Sequence, residues 1–125
     1  MNDLIGLQYE WGASPDDGNG KSDCFQLCCT IRRRLGLKDY APAFAWAYEK
    51  YSEDCFSARL LLRWLKDNCL PIDSLQNGDV GMCIEKAALI TVANGRAFCI
   101  APRGRSVSIE CNESVLSYAH WFRPR

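Results

Sequence analysis

Histidine is almost missing from this sequence: among 125 residues only His120 carries an imidazole. That scarcity, with no C-x-x-C pair anywhere, argues against a zinc site, and no metal or other cofactor is expected. An excess of one charge is missing too. Fifteen basic residues balance fifteen acidic ones, so neither nucleic acid nor an anionic membrane is an expected partner. The single basic run, Arg32-Arg33-Arg34, reads as a solvated helix face. Long apolar runs are absent as well; "AALITVA" falls far short of a bilayer. Met1-Asn2-Asp3 has no basic character and "LIGL" is too short for a signal core, so neither a signal peptide nor a membrane segment is expected. Synthesis in a cytoplasm follows as the expectation. Internal repeats and low-complexity linkers are missing, and residues 1–125 read as one domain.

Cysteine, by contrast, is abundant: Cys24, Cys28, Cys29, Cys55, Cys69, Cys83, Cys99 and Cys111. Their apolar neighbours and the missing export signal favour reduced, buried thiols over a disulfide framework. Cys28, Cys83 and Cys99 in particular are expected to be buried and unpaired.

One thiol is set apart by its position. "GKSDCFQLCCTIRRRLGL" (Gly20–Leu37) opens as a loop and continues as a helix, with Ser22 or Asp23 able to cap it and Gly36 able to end it. Cys24, Cys28, Ile31 and Leu35 fall on one stripe of that helix. Cys24 thus stands in the first turn, where unpaired N–H groups and the helix dipole favour a thiolate. The segment "APAFAWAYEKYSEDCFSARLLLRWLKDNCLP" reads as one helix or two, with Ser57 as a possible cap and Leu61, Leu62, Trp64 and Leu65 as an apolar face. From Asp79 onward short stretches rich in strand formers alternate with turn signals, chief among them Asn94-Gly95 and Arg103-Gly104. Helices first and an antiparallel sheet of four to six strands afterwards make an α+β fold.

Five motifs occur in order: "YEWG" (Tyr9–Gly12), "SDC" at the helix start, "LQNGDV" (Leu75–Val80), "ALITVANGRAFCIAP" around its turn, and "YAHWFRP" at the end. This order resembles the NlpC/P60 family of papain-like cysteine peptidases, above all the short bacteriophage branch with its D-C-W-G-L-like nucleophile helix and aromatic-Arg-Pro ending. The resemblance covers nearly the whole chain. It implies a papain-like core, with N-terminal helices on a C-terminal antiparallel sheet, and an ancestral activity on bacterial cell-wall peptides. Residue by residue, it places Cys24 at the nucleophile, Asp23 at the aspartate before it, and Tyr9 at a tyrosine near the thiol.

The base departs from the pattern. The family's histidine opens a segment of the form H-V-G-I-Y-L-G-N-G; counted back from Asn94-Gly95, its place is taken by Ala87, with Ala88 one step away. The orienting position falls at Cys99 or Ile100, and Gln26 stands where a glycine is usual. Amide cleavage needs a proton donor for the leaving amine, help worth roughly a hundredfold to ten-thousandfold. The expectation is therefore a catalytically degenerate domain, a structural or binding component of a phage tail tip or baseplate hub, located in the virion tail. Its expected partners are other tail proteins and, in a weaker reading, cell-wall peptide. The alternative is a live peptidase or amidase in which Cys24 uses His120, the one candidate base.

Overall fold

The structure, a computed structural model, describes residues 1–39, 41–52, 58–83 and 88–124. Helix α1 (Cys24–Arg34) starts where Asp23, extended at φ −108°, accepts the N–H of Gln26 on its carboxylate at 2.8 Å. It ends where the sequence places a stop. Gly36 takes φ +72°, its N–H donates to the Arg33 carbonyl, and the Leu37 N–H donates to that of Arg32. These two bonds close the helix with a left-handed glycine cap. Phe25, Leu27, Cys28, Cys29, Thr30 and Ile31 are all buried, so α1 is enclosed on nearly every side. Each of the larger apolar side chains contributes about 1.5–3 kcal/mol on burial.

The middle segment forms two helices, α2 (Ala41–Lys50) and α3 (Ala58–Asn68). Ser57, the expected cap of the second, lies outside the described residues, as do Cys55 and Ala87. Leu61 and Leu65 of α3 are buried, and Leu62 and Trp64 pack half-buried against the same core.

Two short parallel strands, β1 (Gln8–Tyr9) and β2 (Lys21–Ser22), precede α1. The main sheet comprises β3 (Cys69–Pro71), β4 (Val80–Cys83), β5 (Ala88–Ala93), β6 (Arg96–Cys99), β7 (Val107–Glu110) and β8 (His120–Pro124). A short helix, α4 (Glu113–Tyr118), leads into β8. The strand order is β3-β8-β4-β5-β6-β7, and every pairing within it is antiparallel. Asn94 and Gly95, at φ 52° and 77°, form the two-residue turn between β5 and β6. The α+β expectation holds. Among the described residues no helix is long and apolar enough to cross a membrane.

Helix α1 lies against β5. Leu89 and Ala93 join the helix-side core, while Ile90 belongs to a smaller cluster with Cys83 and Ala97 on the opposite face. Two of the recognised motifs lock the sheet. Asp79 is buried and takes a two-pronged ion pair from Arg123, both contacts 2.9 Å. Asn77 accepts the Asn94 N–H at 2.7 Å, tying the "LQNGDV" turn to the hairpin.

Two expectations change. Arg32 is no solvated residue but is buried, donating to the carbonyls of Lys38 (3.2 Å) and Gly78 (2.7 Å). Its neighbours are ion-paired, Arg33 with Asp16 and Asp39 and Arg34 with Asp3. The run is therefore a clasp between α1 and the loops around it. Cys99 is half-buried rather than buried, because it faces the open side of the sheet. Among the described residues the cysteines form no disulfide.

Candidate functional site

Asp23 organises the N-terminal turn of α1. The residue is fully buried. One carboxylate oxygen accepts the Gln26 N–H; the other accepts the Gly12 N–H at 2.7 Å and the Tyr48 hydroxyl at 2.5 Å. Gly12 reaches this position because the loop after β1 doubles back, with the Asp23 N–H donating to the Ala13 carbonyl. The amide of Gln26 donates in turn to the Tyr48 oxygen at 3.4 Å. Trp11, Phe25 and Tyr48 surround the group edge to face, with ring centroids 5.0–6.1 Å apart. Burial raises the Asp23 pKa, and the donated hydrogen bonds oppose the shift. Burial likewise raises that of Tyr48, reinforced by the neighbouring Asp23 charge.

Cys24 occupies the first turn, as read from the sequence, but its chemistry is the reverse of the expected thiolate. The residue is only 7% exposed. Burial pushes the thiol up to about 12, and the Asp23 carboxylate adds to the shift; an N–H bond from Leu89 of β5 only partly opposes them. Cys28, one turn further, is raised to about 11 by burial, with Thr91 of β5 bonded to it. These thiols stay protonated at neutral pH.

The other expected site residues are dispersed. Tyr9, on β1, packs half-buried against the core. It lines an open groove of about 590 Å³ with Gln8, Glu10, Trp11 and Arg103. His120 is exposed on β8, beside Lys66, Pro71, Trp121 and Phe122. Among the described residues no hydrogen bond joins His120 to Cys24. Ala88 turns away from α1 into a hollow shared with Cys83, Ile90 and Cys99, while Ala87 lies outside the described residues. Cys99, one candidate orienter, lines that far-side hollow too. Ile100, the other, is fully buried in the main core.

Three participants escaped sequence reasoning: Gly12, Gln26 as a donor to tyrosine, and Tyr48. Tyr48 lies 25 positions from its acceptor, inside a helical stretch of alanines and aromatics whose local pattern carries no sign of it. Among the described residues no group of three or more His, Cys, Asp or Glu side chains could hold a metal ion. No family model matches the chain, and no curated protein or solved structure shows significant similarity to it.

Proposed function

We propose that this chain is a catalytically degenerate NlpC/P60-like domain that serves as a structural or binding component of a bacteriophage tail tip or baseplate hub. The observation that carries the reading is the state of Cys24. It stands at a helix N-terminus packed on an antiparallel sheet, where the family resemblance assigns the nucleophile, yet the thiol is buried and held protonated. A nucleophile must be exposed and at least partly ionised. The one imidazole of the sequence is on the exposed part of β8, without a hydrogen bond to the thiol.

The remaining motifs support a scaffold role. Asp79–Arg123 joins the start of the β-rich half to its last strand, and Asn77–Asn94 ties the same turn to the central hairpin. Such contacts preserve a shape after chemistry is lost.

The test is incubation of the purified protein and its Cys24→Ala variant with cell-wall peptides, with products followed by mass spectrometry. Neither is expected to release product, and Cys24→Ala is expected to assemble into tail particles as wild type does. Cleavage by wild type but not by Cys24→Ala would overturn the proposal and make His120 the base to examine.

A further inference from the structure

Strand β7 is an outer strand of the main sheet, and only part of its free edge is covered. Its backbone groups alternate between two directions. Val107 and Ile109 stand opposite Cys99 and Ala97 of β6, and the Cys111 N–H donates to the Gly95 carbonyl. Positions 107, 109 and 111 therefore send their backbone groups inward to β6, and positions 106, 108 and 110 send theirs outward. At Ser106 the outward groups are used. Its N–H donates to the Leu7 carbonyl and its carbonyl accepts the Gly6 N–H, each at 2.8 Å. The N-terminal segment then turns away at Gly6, where φ is +83°. Ser108 and Glu110, the next outward positions, lie beyond that cover. An edge of this kind is a template for a strand from another chain.

One side chain reaches that edge. Arg96 of β6 stands opposite Glu110, and its guanidinium leans instead onto Ser108. Nε donates to the Ser108 hydroxyl at 2.5 Å and Nη2 to the Ser108 carbonyl at 3.0 Å. We propose that Arg96 guards this edge: by occupying the outward Ser108 carbonyl, it keeps β7 from pairing with the β7 of a second copy of this chain. A second copy is the fitting occupant because the strand complements itself. An antiparallel pair centred on Ile109 sets Ser108 against Glu110 of the second copy, so that outward N–H and C=O groups meet reciprocally. It also sets Ile109 against its own counterpart and Val107 against Cys111 of the second copy. That joins the apolar side chains each molecule exposes, Val107 at 45% and Ile109 at 43%. The Ser108 carbonyl is one acceptor such a pair needs, and a charged donor must first be displaced from it. The inference rests on contacts of the sheet and stands whether or not the chain descends from a peptidase.

The experiment is sedimentation velocity of the full chain over a dilution series, with wild type beside Arg96→Ala and Arg96→Ala/Ser108→Pro. Arg96→Ala is expected to self-associate with a dissociation constant at least about tenfold below that of wild type, because no hydrogen bond to a charged group has to be displaced. Proline at position 108 deletes an outward N–H and leaves the bonds to β6 in place, so the double variant is expected to lose that association. Amide hydrogen exchange reads the same edge without a second substitution. The Ser108 and Glu110 amides of Arg96→Ala are expected to gain protection as concentration rises, whereas those of wild type exchange freely at every dilution. Arg96→Ala that sediments like wild type overturns the inference. So does association that persists in the double variant or leaves the Ser108 and Glu110 amides unprotected. Wild type that gains the same protection overturns it too, since the guard then does not hold. If the double variant fails to fold, exchange in Arg96→Ala decides alone. A cleaved wall peptide would refute the proposed function and leave this result untouched.

Discussion

Removing the Asp23 side chain tests the organisation of the site most directly. Asp23→Ala deletes the cap of α1, worth about 0.5–2 kcal/mol. It also strands the Gly12 N–H and the Tyr48 hydroxyl, which lose their acceptor. Each orphaned donor costs about 1–3 kcal/mol where water cannot replace the partner. Relief of the buried carboxylate's desolvation offsets part of the loss. A net destabilisation of about 3 kcal/mol is expected, a large share of the roughly 5–15 kcal/mol available to such a domain. Urea unfolding monitored by tryptophan fluorescence is a suitable assay, because Trp11 touches both Phe25 and Tyr48.

Asp23→Asn separates the contributions. Its amide oxygen can keep the Gln26 cap, but the amide nitrogen cannot accept from Gly12 or Tyr48, so an intermediate loss is expected. The pH dependence gives a further check. Burial raises the folded-state pKa of Asp23 above its ordinary 3.8. Its protonation therefore favours the fold: that contribution is fully present below about pH 3.8 and is lost as pH rises through the higher folded value. Asp23→Asn is expected to remove this component. A loss below about 1 kcal/mol in Asp23→Ala, or additive rather than coupled effects of Asp23→Ala and Tyr48→Phe, would refute the reasoning.

The raised thiol values predict alkaline weakness. Cys24 and Cys28 ionise in the unfolded chain near 9.0 but in the fold only near 12 and 11, so stability is lost as pH rises through that window. Cys24→Ala is expected to flatten the alkaline limb of a pH–stability profile, and the thiolate absorbance of the native protein is expected to lack a Cys24 step below about pH 10. Gly78→Ala is expected to destabilise by about 2–4 kcal/mol. The position has φ +86°, and a Cβ there would collide with Leu37 Cδ1 and meet an Arg32 guanidinium nitrogen at 2.9 Å. Chemical denaturation reads that loss. His120→Ala, at an exposed position, is expected to change stability by less than about 0.5 kcal/mol and to leave Cys24 alkylation unaltered.

The parts of the fold legible in advance are those whose causes are local. Asp23 caps through its own side chain, Gly36 ends the helix by a conformation glycine adopts freely, and Asn94-Gly95 turns the β5–β6 hairpin within two residues. What escaped depends on distant partners. Cys69–Pro71 becomes a strand only because β8, from the chain's end, pairs with it. The β1–β2 pair depends on loop closure over Glu10 to Gly20, where Gln8 and Gly20 are brought together by a backbone bond. Arg32 looked solvated because its acceptors are the backbone carbonyls of Lys38 and Gly78, which no side-chain pattern in the sequence reveals. Tyr48 is the same case at the site itself.

The thiol shows why a correct placement led to the wrong chemistry. A helix N-terminus presents about half a positive charge, and that favours a thiolate in the first turn. The group that makes this an N-terminus, however, is a carboxylate. Asp23 bears a full negative charge, engages the Gln26 N–H of that turn, and adjoins Cys24 in the chain. Its field opposes the dipole with the larger charge, in a setting where burial weakens screening. Capping and activation therefore compete at this position: a buried carboxylate stabilises the helix and suppresses ionisation of the sulfur beside it. Where a papain-like thiolate forms, a neighbouring imidazolium supplies the opposing positive charge. With Ala87 at the position the family resemblance assigns to that imidazole, burial and the Asp23 carboxylate dominate at Cys24, and helix capping prevails over thiol activation.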